Sequence, residues 1–324
     1  MTLSSLPSFP VIGPERDAWI LARRPGRNEV DPFQPYAFLV EDERAPSGEV
    51  VPVTTVFLTN RECPWRCLMC DLWRNTLVEN VPVGAIPAQI DYALQRLTLA
   101  RQIKLYNSGS FFDPRAIPTE DHPAIATCVA AFERVIVECH PALVADPCVR
   151  FRDLIPGKLE VAMGLETVHT EILKQLNKRM TIGQFAAAAQ FLQKNEIDLR
   201  AFILVKPPFM REDEALEWAV RSLEFAFECG ATAATLIPTR GGNGAMEQLA
   251  AAAQFSPPRL ATLEAAVAHG IAMKKGRVFA DLWDVQTEAR CPDCFDLRIA
   301  RLQAMNLQQS ILPSIACHRC GGNS

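Results

Sequence analysis

The chain has 324 residues, 49% of them hydrophobic and 22% charged, a balance that suits one large globular domain with appendages rather than a disordered or fibrous chain. Its 33 basic and 37 acidic residues leave a net charge of −4, so no global positive field draws it to nucleic acid, although a local basic groove stays open to it. No apolar run approaches the roughly 20 residues of a membrane span, and Met1 to Arg16 lacks the basic and apolar regions of a secretory signal. Seven of the 11 cysteines fall into tight CxxC-type spacings, which favours metal binding in a reducing cytoplasm over disulfides.

Residues 1–48 are rich in Pro, Arg and Asp with weak periodicity, and are expected to drape over the main domain. Val50 to Leu58 is β-branched and aromatic, the pattern of a buried strand. Ile86 to Leu97 predicts a helix with Pro87 in its first turn. The segments Ile103–Tyr106, Arg134–Glu138, Leu159–Leu165, Leu199–Val205 and Ala233–Ile237 predict further strands. Helical patterns over 123–132, 169–176, 182–194, 212–228 and 259–272 alternate with them, and a short strand follows at 277–282. That is roughly six β/α units. Such alternation implies an α/β fold with a parallel sheet and right-handed crossovers, and the continuous apolar strands imply burial on both faces. Eight units close a barrel, so six leave it incomplete, with its active site at the C-terminal strand ends. The expected divisions are an extension (1–48), a core (49–285) and a tail (286–324).

Directly after the first strand comes Cys63-Pro-Trp-Arg-Cys67-Leu-Met-Cys70. Three thiolates on one short loop can hold a cubane iron–sulfur cluster by three of its four irons, leaving one iron open to another ligand. A structural zinc loop is the competing reading, because CxxC loops usually pair with a second ligand pair. In the tail, Cys291-Pro-Asp-Cys294 and Cys317-His-Arg-Cys320 stand 22 residues apart around a helical stretch, Phe295 to Gln308. Two such knuckles read as a tetrahedral zinc site that staples a segment with little core of its own; an auxiliary iron–sulfur cluster is the alternative.

The order of these strand-end motifs resembles the radical S-adenosylmethionine (SAM) superfamily over most of residues 49–285. That resemblance implies an incomplete (β/α)6 barrel with a [4Fe–4S] cluster on Cys63, Cys67 and Cys70, and SAM on the open iron. Leu105-Tyr106-Asn107-Ser108-Gly109-Ser110-Phe111-Phe112-Asp113 stands where the family often has Gly-Gly-Glu, and is similar to the Elongator catalytic subunit and archaeosine-synthesis branches. By resemblance Asn107, Ser108, Gly109, Ser110 and Glu138 would bind SAM. In Gly164-Leu165-Glu166-Thr167, Glu166 would face its ribose or the substrate. Leu176-Asn177-Lys178, Phe202 to Phe209, and Gly242-Asn243-Gly244-Ala245-Met246-Glu247 look most like the archaeosine-synthesis family.

Singly, these residues have plainer readings: Gly109 as a turn, Glu166 as a helix N-terminal anion, Glu138 as a partner of a surface Arg. Lys206, fixed in extended backbone by the following Pro207-Pro208, is read as a rim lysine for a carboxylate or phosphate, and otherwise as an exposed turn residue. Cys128, Cys139, Cys148 and Cys229 read as buried thiols. His122, His140, His169 and His269 show no ligand spacing. From Lys274 onward, 7 basic against 5 acidic residues give a faint hint of RNA contact, with Arg298, Arg301 and Arg319 as phosphate partners. The resemblance implies a 5′-deoxyadenosyl radical acting on a deazaguanine-type base in tRNA, with archaeosine-like lyase chemistry. It also implies a flavodoxin- or ferredoxin-like electron donor, a partner modification enzyme, and a cytoplasmic location. A radical enzyme on a free small molecule and a silent iron–sulfur or zinc interaction module are the alternatives.

Overall fold

Eight strands form one sheet in strict chain order, each paired with the next. In the computed structural model, which describes residues 9–321 except residue 12, they are β1 (Ala37–Arg44), β2 (Val50–Phe57), β3 (Gln102–Tyr106), β4 (Arg134–Glu138), β5 (Lys158–Glu166), β6 (Asp198–Val205), β7 (Ala233–Pro238) and β8 (Arg277–Ala280). β1 is antiparallel to β2, and β2 through β8 run parallel. Ten helices accompany them among the described residues: α1 (Gly13–Leu21), α2 (Ala85–Leu94), α3 (His122–Cys128), α4 (Asp146–Leu154), α5 (Thr170–Gln175), α6 (Ile182–Lys194), α7 (Glu212–Glu228), α8 (Ala245–Ala251), α9 (Leu260–Met273) and α10 (Phe295–Gln308). The reading of Met1 to Arg16 as lacking a secretory signal falls mostly outside the described residues. None of the described helices is long and apolar enough to cross a membrane.

Seven strands run parallel, with an eighth on the edge. That strand, β1, lies inside the segment expected to be an extension. Its sequence, AFLVEDER, carries too much charge to read as buried, and the structure supplies the reason it tolerates it. Side chains alternate across the sheet. Val56, Leu105, Val137, Val161, Ile203, Leu236 and Val278 face the helices and build the main apolar core. The alternate positions face the concave side, and at the N-terminal end they are ions. Glu160 accepts from Arg200 at 2.6 Å, Arg134 at 3.1 Å and Arg277 at 3.2 Å, while Glu43 of β1 accepts from Arg200 at 2.6 Å and pairs with Lys104 at 2.7 Å. Burial pushes both carboxyls up, but Arg200 and the neighbouring cations outweigh it and hold both below the usual range. Contacts between β1 and β6 require the sheet to curl. The expected burial on both faces thus holds, but the inner face is filled by charges that satisfy one another.

The curl leaves a seam between the edge strands β1 and β8. α10 lies against both. Asn306 and Gln309 do for β8 what a further strand would. Asn306 accepts from the Ala280 N–H at 2.8 Å and donates to its carbonyl at 2.9 Å. Gln309 does the same at Val278, at 2.7 and 2.9 Å. An exposed edge is thereby covered by side-chain amides. The opening that an incomplete barrel would leave carries a helix, and Arg298 and Arg301, expected as phosphate partners, are not set out for phosphates. Arg298 is fully buried on Glu264 at 2.6 Å, and Arg301 bonds Glu264 at 3.1 Å and the Leu312 carbonyl at 2.7 Å. Arg319 is exposed, 3.3 Å from Asp293.

Candidate active site at the C-terminal mouth of the sheet

The three cysteines follow β2 on a loop that is fastened from several sides. Leu68 donates its N–H to the Leu176 carbonyl at 2.9 Å. The Asn177 amide donates to the Arg66 carbonyl at 2.8 Å, and the Asn243 amide to the carbonyls of Leu68 at 2.8 Å and Cys70 at 3.2 Å. The two pieces that carried resemblance alone, Leu176–Lys178 and Gly242–Glu247, therefore hold this loop. α1 and the segment after it strap the outside. Asp17 accepts from Asn177 at 2.7 Å, Arg24 bonds Glu62 at 2.7 Å, Arg27 also binds Glu62, and Arg16 reaches the Lys174 carbonyl at 2.6 Å. Gly244, at φ 86°, has no room for a side chain, since a Cβ would run into the Arg23 carbonyl of this strap.

The strand ends β3 to β5 face the loop. Gly109 packs so closely that an added Cβ would sit 3.3 Å from the Cys63 Cβ. Ser110 accepts from the His140 N–H at 2.7 Å, and the Ser108 hydroxyl lies 3.3 Å from that of Tyr36. Glu138 accepts from the Asn107 N–H at 2.9 Å. Burial pushes its carboxyl up to about 7, against the N–H groups of Asn107 and Ser108 and the charge of Lys178, which pull it down. Glu166, at φ 64°, accepts from the buried Lys178 ammonium at 2.6 Å. Burial opposes that ammonium's charge, but Glu166 outweighs it and keeps Lys178 charged. His140 stacks on Trp65 of the cysteine loop at 3.8 Å. Its Nδ1 accepts from the Ala142 N–H, so Nε2 carries the proton and donates to the Lys178 carbonyl at 3.1 Å. Burial pushes its pKa down to about 4, and the ring is neutral.

The expected residues Asn107, Ser108, Gly109, Ser110, Glu138 and Glu166 thus meet the cysteine loop at one mouth. Lys206 does not join them through any hydrogen bond or ion pair. Its ammonium donates to Ser256 at 2.7 Å and the Pro257 carbonyl at 3.3 Å, and pairs with Glu212 at 2.9 Å. Its carboxylate partner is the chain's own. Nor is its backbone the extended one expected before proline, for φ is 52°. Lys178 and His140 were not singled out as site residues. Their only sequence signal is position, beside Asn177 and two residues after Glu138. From the mouth a row of rings runs along the inner face, Tyr36–Phe57–Tyr106–Phe202, with centroids 5.6, 6.2 and 6.2 Å apart.

Two tests bear on an iron–sulfur cluster with SAM at the mouth. Burial pushes the thiols of Cys63, Cys67 and Cys70 up to about 12, so they bind protons until a cation displaces them. Asn107 has both side-chain amide atoms buried with no hydrogen-bond partner among the described residues, directly beside these thiols' loop. A polar ligand there would satisfy it. The residues fit the group. In the tail, Cys291, Cys294, Cys317 and Cys320 bring their sulfurs within 4.8 Å of one another, with pairs at 3.8 and 3.5 Å. Bonds of about 2.3 Å to one tetrahedral ion put sulfurs about 3.8 Å apart, so these four could bind a metal.

No family model matches the chain. It is 26% identical over 250 residues to an uncharacterized protein of Methanocaldococcus jannaschii, covering 72% of this chain and 68% of that one. It is 26% identical over 226 residues to the archaeosine synthase subunit beta of Methanosarcina acetivorans, covering 66% and 65%; the chain therefore spans about two thirds of the length of these relatives. Among solved structures, an N-terminally deleted Elp3 of Methanocaldococcus infernus overlaps it with a TM-score of 0.48 at 14% identity, covering 73% of this chain and 60% of that one. The chain is thus similar in sequence to proteins named archaeosine synthase subunit beta.

Proposed function

We propose that the chain is a radical SAM enzyme that modifies a nucleobase in tRNA, a deazaguanine-type base by preference, with lyase chemistry like that of archaeosine synthesis. The observation that carries the enzyme reading is the cysteine loop held against Asn107–Ser110, Glu138 and the Glu166–Lys178 pair at one mouth. The likeness to a protein named archaeosine synthase subunit beta supports the substrate reading, and the word subunit supports a partner enzyme. We read the sheet as a radical SAM barrel of the incomplete (β/α)6 kind, its seam covered by α10.

Cys63, Cys67 and Cys70 would hold the [4Fe–4S] cluster. Together with SAM it supplies a radical that removes a hydrogen atom from the substrate. The chain's residues bind, orient and exclude water. The Asn107 amide and the 107–110 backbone would receive the methionine end of SAM, with Glu138 as acceptor for its ammonium. Glu166 would face the ribose or the substrate. The ring row offers faces for a planar base to stack on. The tail cysteines would hold zinc, and a flavodoxin- or ferredoxin-like protein in the cytoplasm would deliver the electron. Lys206 we read as fastening α7 to the loop before α9.

The test is anaerobic incubation with total tRNA, SAM and dithionite, followed by nucleoside mass spectrometry. A changed base in tRNA, absent with Cys67→Ala, is expected. Turnover of SAM without any change in tRNA, and with salt-indifferent binding, would move the substrate to a free small molecule.

A further inference from the structure

We propose that Lys178 is the counter-cation of the iron–sulfur cluster and, against Glu166, sets how readily that cluster accepts an electron. This rests on the reading of Cys63, Cys67 and Cys70 as cluster ligands. Three independent observations lead to it. The residues just before Lys178 are laced to the cysteine loop, through Leu176 to Leu68 at 2.9 Å and Asn177 to Arg66 at 2.8 Å. Both flanking residues, Asn177 and Arg179, adopt φ 56° without being glycine, a strained backbone that turns Lys178 inward. And among the described residues its buried ammonium bonds one group, Glu166 Oε1 at 2.6 Å. A Cβ on Gly164 would strike both charged groups, so glycine there makes room for the pair.

The electrostatics follow from counting charge. One electron from an external low-potential reductant adds one negative charge to the cluster, with no bond made or broken. In a buried site charges act on one another far more strongly than in water, and net charge around a cluster is a main determinant of its potential. Lys178 favours the reduced state and Glu166 opposes it. His140, the other titratable ring at the loop, is neutral; Glu138, Arg66, Arg24 and Asp71 also act on this site, and they are common to every variant compared.

The experiment uses the full chain, reconstituted anaerobically with iron and sulfide in the absence of SAM. The cluster is titrated with dithionite and its midpoint read by electron paramagnetic resonance. Lys178→Met is expected to move the midpoint to more negative potential, Glu166→Gln to more positive, and Lys178→Arg to leave it near the wild type. Opposite shifts are something a merely structural pair would not give. Unchanged midpoints, or shifts of the same sign in the Met and Gln variants, would overturn the proposal. If Lys178→Met fails to take up a cluster, Glu166→Gln decides alone, a positive shift supporting the proposal and no shift overturning it. A wild-type chain that takes up no [4Fe–4S] cluster would overturn the ligand reading itself, an outcome distinct from a cluster whose midpoint ignores Lys178.

Discussion

Ser108, Glu166, Asn177 and Arg179 all carry left-handed backbone at the mouth without being glycine, at a cost of about 1 kcal/mol each. Strain of this kind persists where surrounding contacts over-determine it, and here the contacts belong to the cysteine loop and the Glu166–Lys178 pair. Nothing in the residue types announces these angles, which is why Lys178 was legible only as a letter in a motif. The cysteines were legible because three thiols at short spacing on one loop stand out in a sequence whatever they bind. Glu138 gives a test at this scale. Burial raises its pKa from 4.5 to about 7, so the fold binds its proton more tightly than the unfolded chain does. Its contribution is fully present below about 4.5 and is lost as pH rises through about 7. Relative to Glu138→Gln, which keeps an acceptor for the Asn107 N–H, the wild type should lose about 2.5 kcal/mol between pH 5 and pH 8. Urea midpoints of the two cluster-free proteins at both pH values measure this, and the effects of His122 and His140 cancel in the difference. A constant offset would mean that Glu138 is ionised throughout.

Among the elements, the parallel strands and most helices followed from periodicity, whereas β1 did not. Its acids read as solvent-facing, as Glu41 and Asp42 are, and only Lys104 and Arg200, distant in sequence, make Glu43 an interior residue. The seam is equally invisible along the chain, since Asn306 in the last turn of α10 and Gln309 just past its end look like surface polars. Removing the Asn306 amide leaves the Ala280 N–H and carbonyl unpaired at a partly buried edge. Asn306→Ala should cost about 1–3 kcal/mol. The amides of Val278 and Ala280 should then exchange faster in hydrogen-exchange mass spectrometry, while those of β4 hold. Glu212, the first residue of α7, accepts from the Arg259 N–H at 3.2 Å at the start of α9 and pairs with Lys206. Lys206→Met should therefore lower the melting temperature. A role for Lys206 on the substrate would instead raise KM with the melting temperature unchanged.

At the scale of the whole molecule, the tail and the barrel are one mechanical unit. Cys294 immediately precedes α10, and that helix seals β1 against β8. Thiolate–metal bonds worth about 10 kcal/mol in small zinc domains would anchor the helix. Chelation, or Cys317→Ser, should then raise exchange along β8 before it affects β4, and elemental analysis should find about one metal per chain beforehand. The sequence set the four cysteines together by spacing but not their contact with the edge strands, because that contact joins parts far apart in the chain. At the mouth, the other cysteine group is the one on which the proposed function depends. The most direct measurement is 5′-deoxyadenosine formed by the anaerobically reconstituted protein with dithionite and SAM. It should form with the wild type and vanish with Cys67→Ala. Undiminished formation after that substitution, or none from a wild type that demonstrably carries a [4Fe–4S] cluster, would contradict the assignment.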